Sequence, residues 1–257
     1  MLDLGCAGGS FPAEEWPFTV VRVDLERPRD RTSNFVQADA AKLPFPAASF
    51  DVVVSNHSLE HFENLDAALA EVARVVKPEG SFYAAVPDAS TISDRLYRWL
   101  AGGGGHVNGF VSAKDLAGRI EKVTKLKHQA TRTLCTSLSC FNRRNIRTRA
   151  PRRLILIGGG TEYSLRFLTY AFRLWDRLFR TRFSVYGWAL YFGRREPAID
   201  TRTATNVCIR CGSGHASAWL LSDRGRVRRR LLLRTYACPN CGAKNIFTED
   251  PLPSSDR

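Results

Sequence analysis

Short apolar runs alternate with polar, glycine- or proline-bearing stretches through the first third of the chain. Leu2-Asp-Leu4 runs into Gly5-Cys-Ala-Gly-Gly9, and Val20-Val-Arg-Val23 ends on Asp24. Phe35-Val-Gln-Ala38 ends on Asp39, and Phe50-Asp-Val-Val-Val-Ser55 breaks into Asn56-His-Ser-Leu-Glu-His61. Runs this short and this apolar predict buried strands. Leu65, Ala68, Leu69, Val72, Val75 and Val76 then recur at helical spacing. Pro78-Glu-Gly80 stops that helix, and Ser81 to Val86 predicts a fifth strand. Strands alternating with helices predict an α/β fold, a doubly wound and mostly parallel sheet covered on both faces. Ligands of such sheets sit at the carboxyl ends of the strands, where Asp24, Asp39 and Asn56 fall. Pro12 and Pro17 limit the helix after the glycine turn to little more than one turn.

The second half is patterned differently. His128 to Phe141 and Phe183 to Phe192 predict two more strands, separated by an insertion over 142–182. Within it, Asn142 to Arg153 carries six arginines and predicts a basic loop, while Glu162 to Arg182 predicts a helix. Arg166, Arg173, Arg177 and Arg180 share one narrow face of that helix. Leu165, Phe167, Leu168, Phe172, Leu174, Trp175, Leu178 and Phe179 occupy the rest. A broad apolar face beside an arginine stripe suits an interfacial membrane helix. It equally suits a helix roofing a substrate pocket, and we favour packing because wide apolar faces are commonly buried.

The glycines at 5 and 9 permit a sharp turn and leave a ligand room against the backbone. A carboxylate at the tip of the next strand is placed to accept two hydrogen bonds from a ribose diol. A dinucleotide fingerprint would need glycine where Ser10 stands. Six pieces in order over roughly residues 1–125 instead resemble the class I S-adenosylmethionine-dependent methyltransferases of the small-molecule subgroup. They are Leu2-Asp-Leu-Gly-Cys-Ala-Gly-Gly9, the strand end at Asp24, Gln37-Ala-Asp-Ala40 with Leu43-Pro-Phe45, Phe50-Asp-Val-Val53, Ser58-Leu-Glu-His61, and the helix leading to Val76-Lys-Pro-Glu-Gly80. The resemblance implies a Rossmann-like sheet of seven strands, closed by an antiparallel hairpin, with S-adenosylmethionine as cofactor. By position, Asp3, Gly5, Ala7 and Gly9 would line its methionine and ribose part. Asp24 would take the ribose hydroxyls, Asp39 and Ala40 would bracket the adenine, and Asn56 would lie near the transferable methyl.

His57, His61 and His106 are the catalytic candidates, since an acceptor hydroxyl would need a base. The string His57-Ser-Leu-Glu-His61 also spells H-x-x-E-H, but zinc-protease chemistry needs both histidines on one helical face. Ala101-Gly-Gly-Gly-Gly-His106-Val-Asn108 reads as a glycine-rich lid carrying His106 towards the substrate.

Seven cysteines change the picture at the other end. Cys208-Ile-Arg-Cys211-Gly and Cys238-Pro-Asn-Cys241-Gly are paired C-x-x-C-G knuckles, and four thiolates make a closed tetrahedral site for structural Zn²⁺. Iron would also fit such a set. A small β zinc ribbon over 205–247 is therefore expected after a cofactor-binding domain over 1–195. Charge is split, with a balance of −7 over residues 1–90 and +20 over 91–257. A basic half attracts nucleic acid, anionic membrane or acidic substrates. Arg226-Val-Arg-Arg-Arg230 lies between the knuckles, without interleaved aromatics for base stacking.

No run reaches the length of a membrane span, and no leader pattern opens the chain, so a cytoplasmic protein, peripheral to the membrane if the 162–182 helix lies on it, is expected. Met1 falls inside the first predicted strand, so either the domain is trimmed or the start is placed too late. The function expected is methyl transfer to a small or lipid-like acceptor. An RNA- or protein-directed methyltransferase gripping its target with the basic ribbon stays open, as does an inactive binding module of the same fold.

Overall fold

Leu2, Asp3 and Leu4 are all buried, as a strand flanked on both edges and covered on both faces must be. The protein is described from a computed structural model over residues 1–6, 9–11, 18–28, 34–100, 105–146, 152–194, 203–223, 226–230 and 233–249. In chain order the first elements are β1 (Leu2–Leu4), β2 (Val21–Asp24), β3 (Phe35–Gln37), β4 (Phe50–Asn56), α1 (Leu65–Val75) and β5 (Val76–Pro87). Next come α2 (Ile92–Leu100), α3 (Ala113–Thr124), β6 (His128–Cys135), α4 (Glu162–Phe179) and β7 (Val185–Gly193). The chain ends with β8 (Asn206–Val207), β9 (Gly214–His215), α5 (Ser217–Leu221), β10 (Val227–Arg230), β11 (Leu233–Ala237) and β12 (Lys244–Ile246).

Seven strands form one sheet in the order β3-β2-β1-β4-β5-β7-β6. Leu2 pairs in parallel with Val21 on one side and Val53 on the other, so β1 is the hinge of the order. The pairs β2–β3 and β4–β5 are parallel too. Gly193 N–H donates to Lys127 O, and Thr136 N–H donates to Ser184 O, so β6 and β7 run in opposite directions. This is the mostly parallel, doubly wound sheet that the alternating pattern predicts. The helical spacing of α1 also holds: Leu65, Ala68, Leu69, Val72 and Val75 are its buried residues, and Asn64 caps it by accepting from Ala67 N–H. Pro78-Glu-Gly80 is not a stop before the strand but the opening of β5, with an irregular register opposite Phe50 to Val52. Gly80 is required there, since a Cβ would come within 2.8 Å of Asp51 O.

Contacts divide the chain into two compact units. The first comprises Met1–Ala89, Gly105–Arg132 and Trp188–Thr201, with a core of residues such as Leu4, Val53, Leu69, Phe82, Ile120 and Leu190. The second comprises Ser90–Gly104, Thr133–Gly187 and Arg202–Arg257. Its core joins Leu100, Leu138, Phe141, Leu154 and Leu165 to Ile209, which lies between two of the knuckle cysteines. β6 is shorter than its apolar run suggests: Leu138 takes a left-handed φ of 56°, and Ser139–Phe141 form a 3-10 turn.

Helix α4 departs in part from the expected orientation of its faces: Leu165, Leu168 and Phe172 pack on the core, but Arg173 is buried too. Thr161 caps it by accepting from Ser164 N–H, and Arg180, in the left-handed region, ends it at Phe179 rather than at 182. Its buried residues are Leu165, Thr169, Arg173 and Asp176, whereas Tyr163, Phe167, Leu174 and Leu178 are exposed. The reason lies in the partner. Arg166 donates to Lys244 O, and Arg173 to Ile246 O and Val207 O, so backbone flanking the knuckles supplies acceptors that draw these two arginines inward. Of the apolar residues expected to be packed, Phe167, Leu174, Trp175, Leu178 and Phe179 are turned outward.

Candidate active site and four-cysteine cluster

Parallel strands end their carboxyl tips on one side of a sheet, and a cavity of about 580 Å³ opens there in the first unit. Gly5, Asp24, Asp39, Ala40, His57 and His61 all line it. Asp3, Gly9, Asn56 and His106 are not among its lining residues, and Ala7 lies outside the described residues.

The turn after β1 needs glycine for two separate reasons. Gly5 has φ +67°, and a Cβ on it would stand 2.4 Å from Ser58 Cβ. Gly9 has φ +113°, and its N–H closes the turn on Cys6 O at 2.6 Å. Asp3 works from beneath: Oδ2 accepts from Ser10 N–H at 2.9 Å, and burial raises its pKa. Its Oδ1 is buried with no hydrogen-bond partner among the described residues. A buried carboxylate oxygen left over at a glycine turn is the acceptor that a cationic ligand group would complete. The two Pro-bearing residues expected to shorten the following helix, Pro12 and Pro17, lie outside the described residues.

Asp24 ends β2 and receives Glu26 N–H on Oδ1, while Asp39 receives Ala41 N–H on Oδ1. Each carboxylate is thus held by its own backbone at a strand tip, on the cavity wall. Leu25, Phe62 and Ala68 supply apolar wall, and Ser58, Glu63 and Asn64 supply further polar groups. Ser58 belongs to the Ser58-Leu-Glu-His61 motif, whereas the other five are not motif positions; Leu25 follows Asp24 directly, Phe62, Glu63 and Asn64 follow His61, and Ala68 lies in α1. The observed set suits a nucleoside cofactor: two acids at separate strand tips, a flat apolar flank, and a backbone turn free of side chains.

His57 follows β4 with φ +55°, and its N–H donates to Ala85 O. Enclosure of its ring, with His106 and His61 nearby, pushes its pKa down to about 4. It is neutral at pH 7 and can only accept or relay a proton. His61 Nδ1 lies 3.0 Å from Gly105 O, so that nitrogen carries the hydrogen and Nε2 presents the lone pair. The His61 and His106 rings meet edge-on at 4.9 Å. The loop before His106, of which residues 101–104 lie outside the described residues, returns to the site through Val107 and Asn108, whose N–H groups donate to Glu60 O. Glu60, His61 and His106 offer ligand atoms all within 4.8 Å of one another. His57 is not in that group. Leu59–His61 is a 3-10 turn rather than a helix, so H-x-x-E-H does not present its histidines on one helical face.

In the second unit Cys208, Cys211, Cys238 and Cys241 converge, all sulfurs within 4.8 Å of one another and none in a disulfide. Cys208–Cys241 and Cys211–Cys238 are each 3.6 Å apart. Thiolates at about 2.3 Å from a tetrahedral Zn²⁺ would stand roughly 3.8 Å apart, so the donor set fits that ion. The two knuckles are built alike. Gly212 N–H donates to Cys208 O and Gly242 N–H to Cys238 O, with φ of +74° and +71°. That left-handed position is why glycine follows each second cysteine. Sequence spacing missed His215, whose Nε2 lies 3.4 Å from Cys238 Sγ and whose ring stacks on Trp219. Arg226, expected as part of a free basic run, lies 3.9 Å over the Trp219 ring and pairs with Asp223.

Residues 2–84 match a family model described as a methyltransferase domain, Methyltransf_11. Over 181 residues the chain is 26% identical to a malonyl-[acyl-carrier protein] O-methyltransferase of Methylococcus capsulatus, covering 60% of this chain and 66% of that one. It is 37% identical over 95 residues to a fatty-acid O-methyltransferase of Mycolicibacterium smegmatis, covering 32% and 35%. The chain spans between 26% and 66% of the length of these and other curated relatives. A SAM-dependent methyltransferase from Archaeoglobus fulgidus shares the fold with a TM-score of 0.52, at 17% identity over 75% of this chain and 85% of that one.

Proposed function

We propose that the chain is an S-adenosylmethionine-dependent methyltransferase acting on a small or lipid-like acceptor. The observation that carries this reading is the cavity at the strand tips, in which Gly5, Asp24, Asp39 and Ala40 stand together. The match over residues 2–84, and relatives that act on malonyl-[acyl-carrier protein] and fatty acids, support it.

When bound, the cofactor supplies an electrophilic methyl group on a sulfonium. Asp24 would accept from the ribose hydroxyls, Asp39 with Ala40 would flank the base, and Phe62 and Leu25 would exclude water from its faces. Asp3, with its unsatisfied Oδ1, would hold the turn that carries the methionine end. Such a displacement is accelerated mainly by alignment. A hydroxyl acceptor must lose its proton, which His61 Nε2 or the neutral His57 would receive, whereas a carboxylic acceptor is already ionised at neutral pH and needs no base. His106, edge-on to His61, would position that ring.

The four thiolates would hold a structural Zn²⁺, closed to chemistry because no coordination position is left. Among the described residues no helix is long and apolar enough to cross a membrane. Calorimetric titration of the cofactor into the intact chain tests the main reading. Binding that Asp24→Ala weakens at least tenfold is expected for a lost bidentate contact (about 1.4 kcal/mol or more). No heat of binding in the intact chain would sink it and leave the inactive-module alternative.

A further inference from the structure

In the second unit α4 buries two charged residues and exposes a stripe of large apolar ones. Arg173 and Asp176 are 7% and 1% exposed, whereas Tyr163, Phe167 and Leu178 are 79%, 66% and 65% exposed. Tyr163, Phe167, Leu174 and Leu178, spaced 4, 7 and 4 apart, form one stripe along the side opposite the buried residues. Trp175 lies at its margin, 46% exposed. The stripe continues past the helix start into a groove that Tyr163 and Phe167 share with Leu156.

The segment that carries the stripe is strongly basic, with Glu249 an acid within electrostatic reach of its Arg177. Residues 133–187 contain 11 arginines, no lysine and only two acids. Both acids are taken up internally. Glu162 accepts from Arg210, and Asp176 accepts from Thr181 Oγ1, Phe183 N–H and both the N–H and the hydroxyl of Ser184. Arg152, Arg177, Arg180 and Arg182 are exposed. Two copies of this face meeting each other would press arginine against arginine. A surface that is apolar beneath and anionic above satisfies both features at once.

We propose that the outward face of α4 docks this protein in-plane on an anionic lipid bilayer, with Phe167, Leu174 and Leu178 entering the acyl boundary and the flanking arginines meeting lipid phosphates. The helix lies on the membrane and does not cross it. Eighteen residues span about 27 Å, enough to anchor along the surface. This docking does not depend on methyl transfer.

The test is sedimentation of the full chain with vesicles of phosphatidylcholine alone and of phosphatidylcholine mixed with phosphatidylglycerol. The expected result is binding to the mixed vesicles only, with a blue shift of tryptophan emission. Phe167→Glu/Leu178→Glu, both exposed positions, lowers that binding at least tenfold while far-UV circular dichroism is unchanged, and Arg180→Glu/Arg182→Glu lowers it too. Absence of binding to mixed vesicles overturns the proposal, as does binding that either double variant leaves intact. A dimer in analytical ultracentrifugation that Phe167→Glu/Leu178→Glu dissolves, with no vesicle binding, assigns the face to a second copy instead.

Discussion

Glu162, the first residue of α4, accepts two hydrogen bonds from the Arg210 guanidinium, at 2.6 and 2.9 Å. Arg210 sits between Cys208 and Cys211, so the helix and the first knuckle are clasped at the residue that a metal would hold still. The Arg210 guanidinium holds the Glu162 carboxyl below its ordinary value of 4.5. A carboxylate depressed in the folded state adds stability above that ordinary value and loses it as pH falls through the lower folded one. Wild type is therefore expected to melt above Glu162→Gln at pH 7, and the two melting curves should converge as pH drops below 4.5. A gap that persists at low pH would show that packing, not the charge pair, ties them.

Metal removal should act on the second unit first. Ile209 lies in its core, and Ser137, Asn142 and Asn145 donate to the carbonyls of Cys208, Ile209 and Arg210. Structural zinc contributes about 10–16 kcal/mol to small domains that depend on it, so even a fraction of that is decisive here. One equivalent of zinc per chain is expected by elemental analysis, and Cys208→Ser or Cys238→Ser should lose it with a lower melting temperature. Full zinc retention in both variants would rule the cluster out as the site.

Gly5→Ala sets a left-handed φ against a contact 2.4 Å from Ser58 Cβ. Ser58 cannot yield freely, because its hydroxyl donates to Leu4 O and lies 2.5 Å from Ser55 Oγ. A destabilisation of about 2 kcal/mol or more is expected from strain and overpacking together. Cofactor titration on the folded fraction should show no binding. Unchanged affinity would mean that the turn does not approach the ligand.

His57 carries a second pH dependence, of the sign expected for a histidine enclosed as the neutral ring. Its folded pKa of about 4 lies below the ordinary 6.5, so the unfolded chain takes up the proton first. Stability is then full above 6.5 and declines as pH falls towards 4, by about 3 kcal/mol if the whole shift is realised. His57→Asn keeps a residue type that tolerates φ +55° and removes the titration. Denaturant midpoints measured at intervals from pH 7.5 to about 4 should fall more steeply for wild type than for the variant; parallel lines would refute the assignment.

Much of the sheet was legible because buried strands leave a local mark: Leu2 and Leu4, Val20, Val21 and Val23, and Phe50 with Val52 to Val54 make short apolar runs, interrupted at the covered positions Asp3 and Arg22. Asp24, Asp39 and His61 reach the cavity because strand ends carry them there, which spacing alone conveys. Asn56 occupies a strand end too, yet it is not among the residues lining the cavity. The faces of α4 were legible only in part, through Leu165, Leu168 and Phe172. Periodicity separates Arg166 and Arg173 from Phe167 and Leu174 but does not say which side meets a partner. Val207 O, Lys244 O and Ile246 O decided it, and they lie far along the chain. His215 beside Cys238 was hidden for the same reason.

The position of β7 has a consequence for how the chain is made. It inserts between β5 and β6, although it follows both in sequence. During synthesis β1 to β5 can pair in order as they emerge, each next to a neighbour already present. β6 then emerges with no strand to lie against until everything from Thr136 to Ser184 has followed it. Closing that interval costs little extra in loop entropy, since the penalty grows only with the logarithm of length. The delay is kinetic: for that interval β5 has an open edge, the exposed kind of edge that invites a foreign strand. The late arrival of Val185–Gly193 is therefore the step at which a nascent chain is most exposed to mispairing.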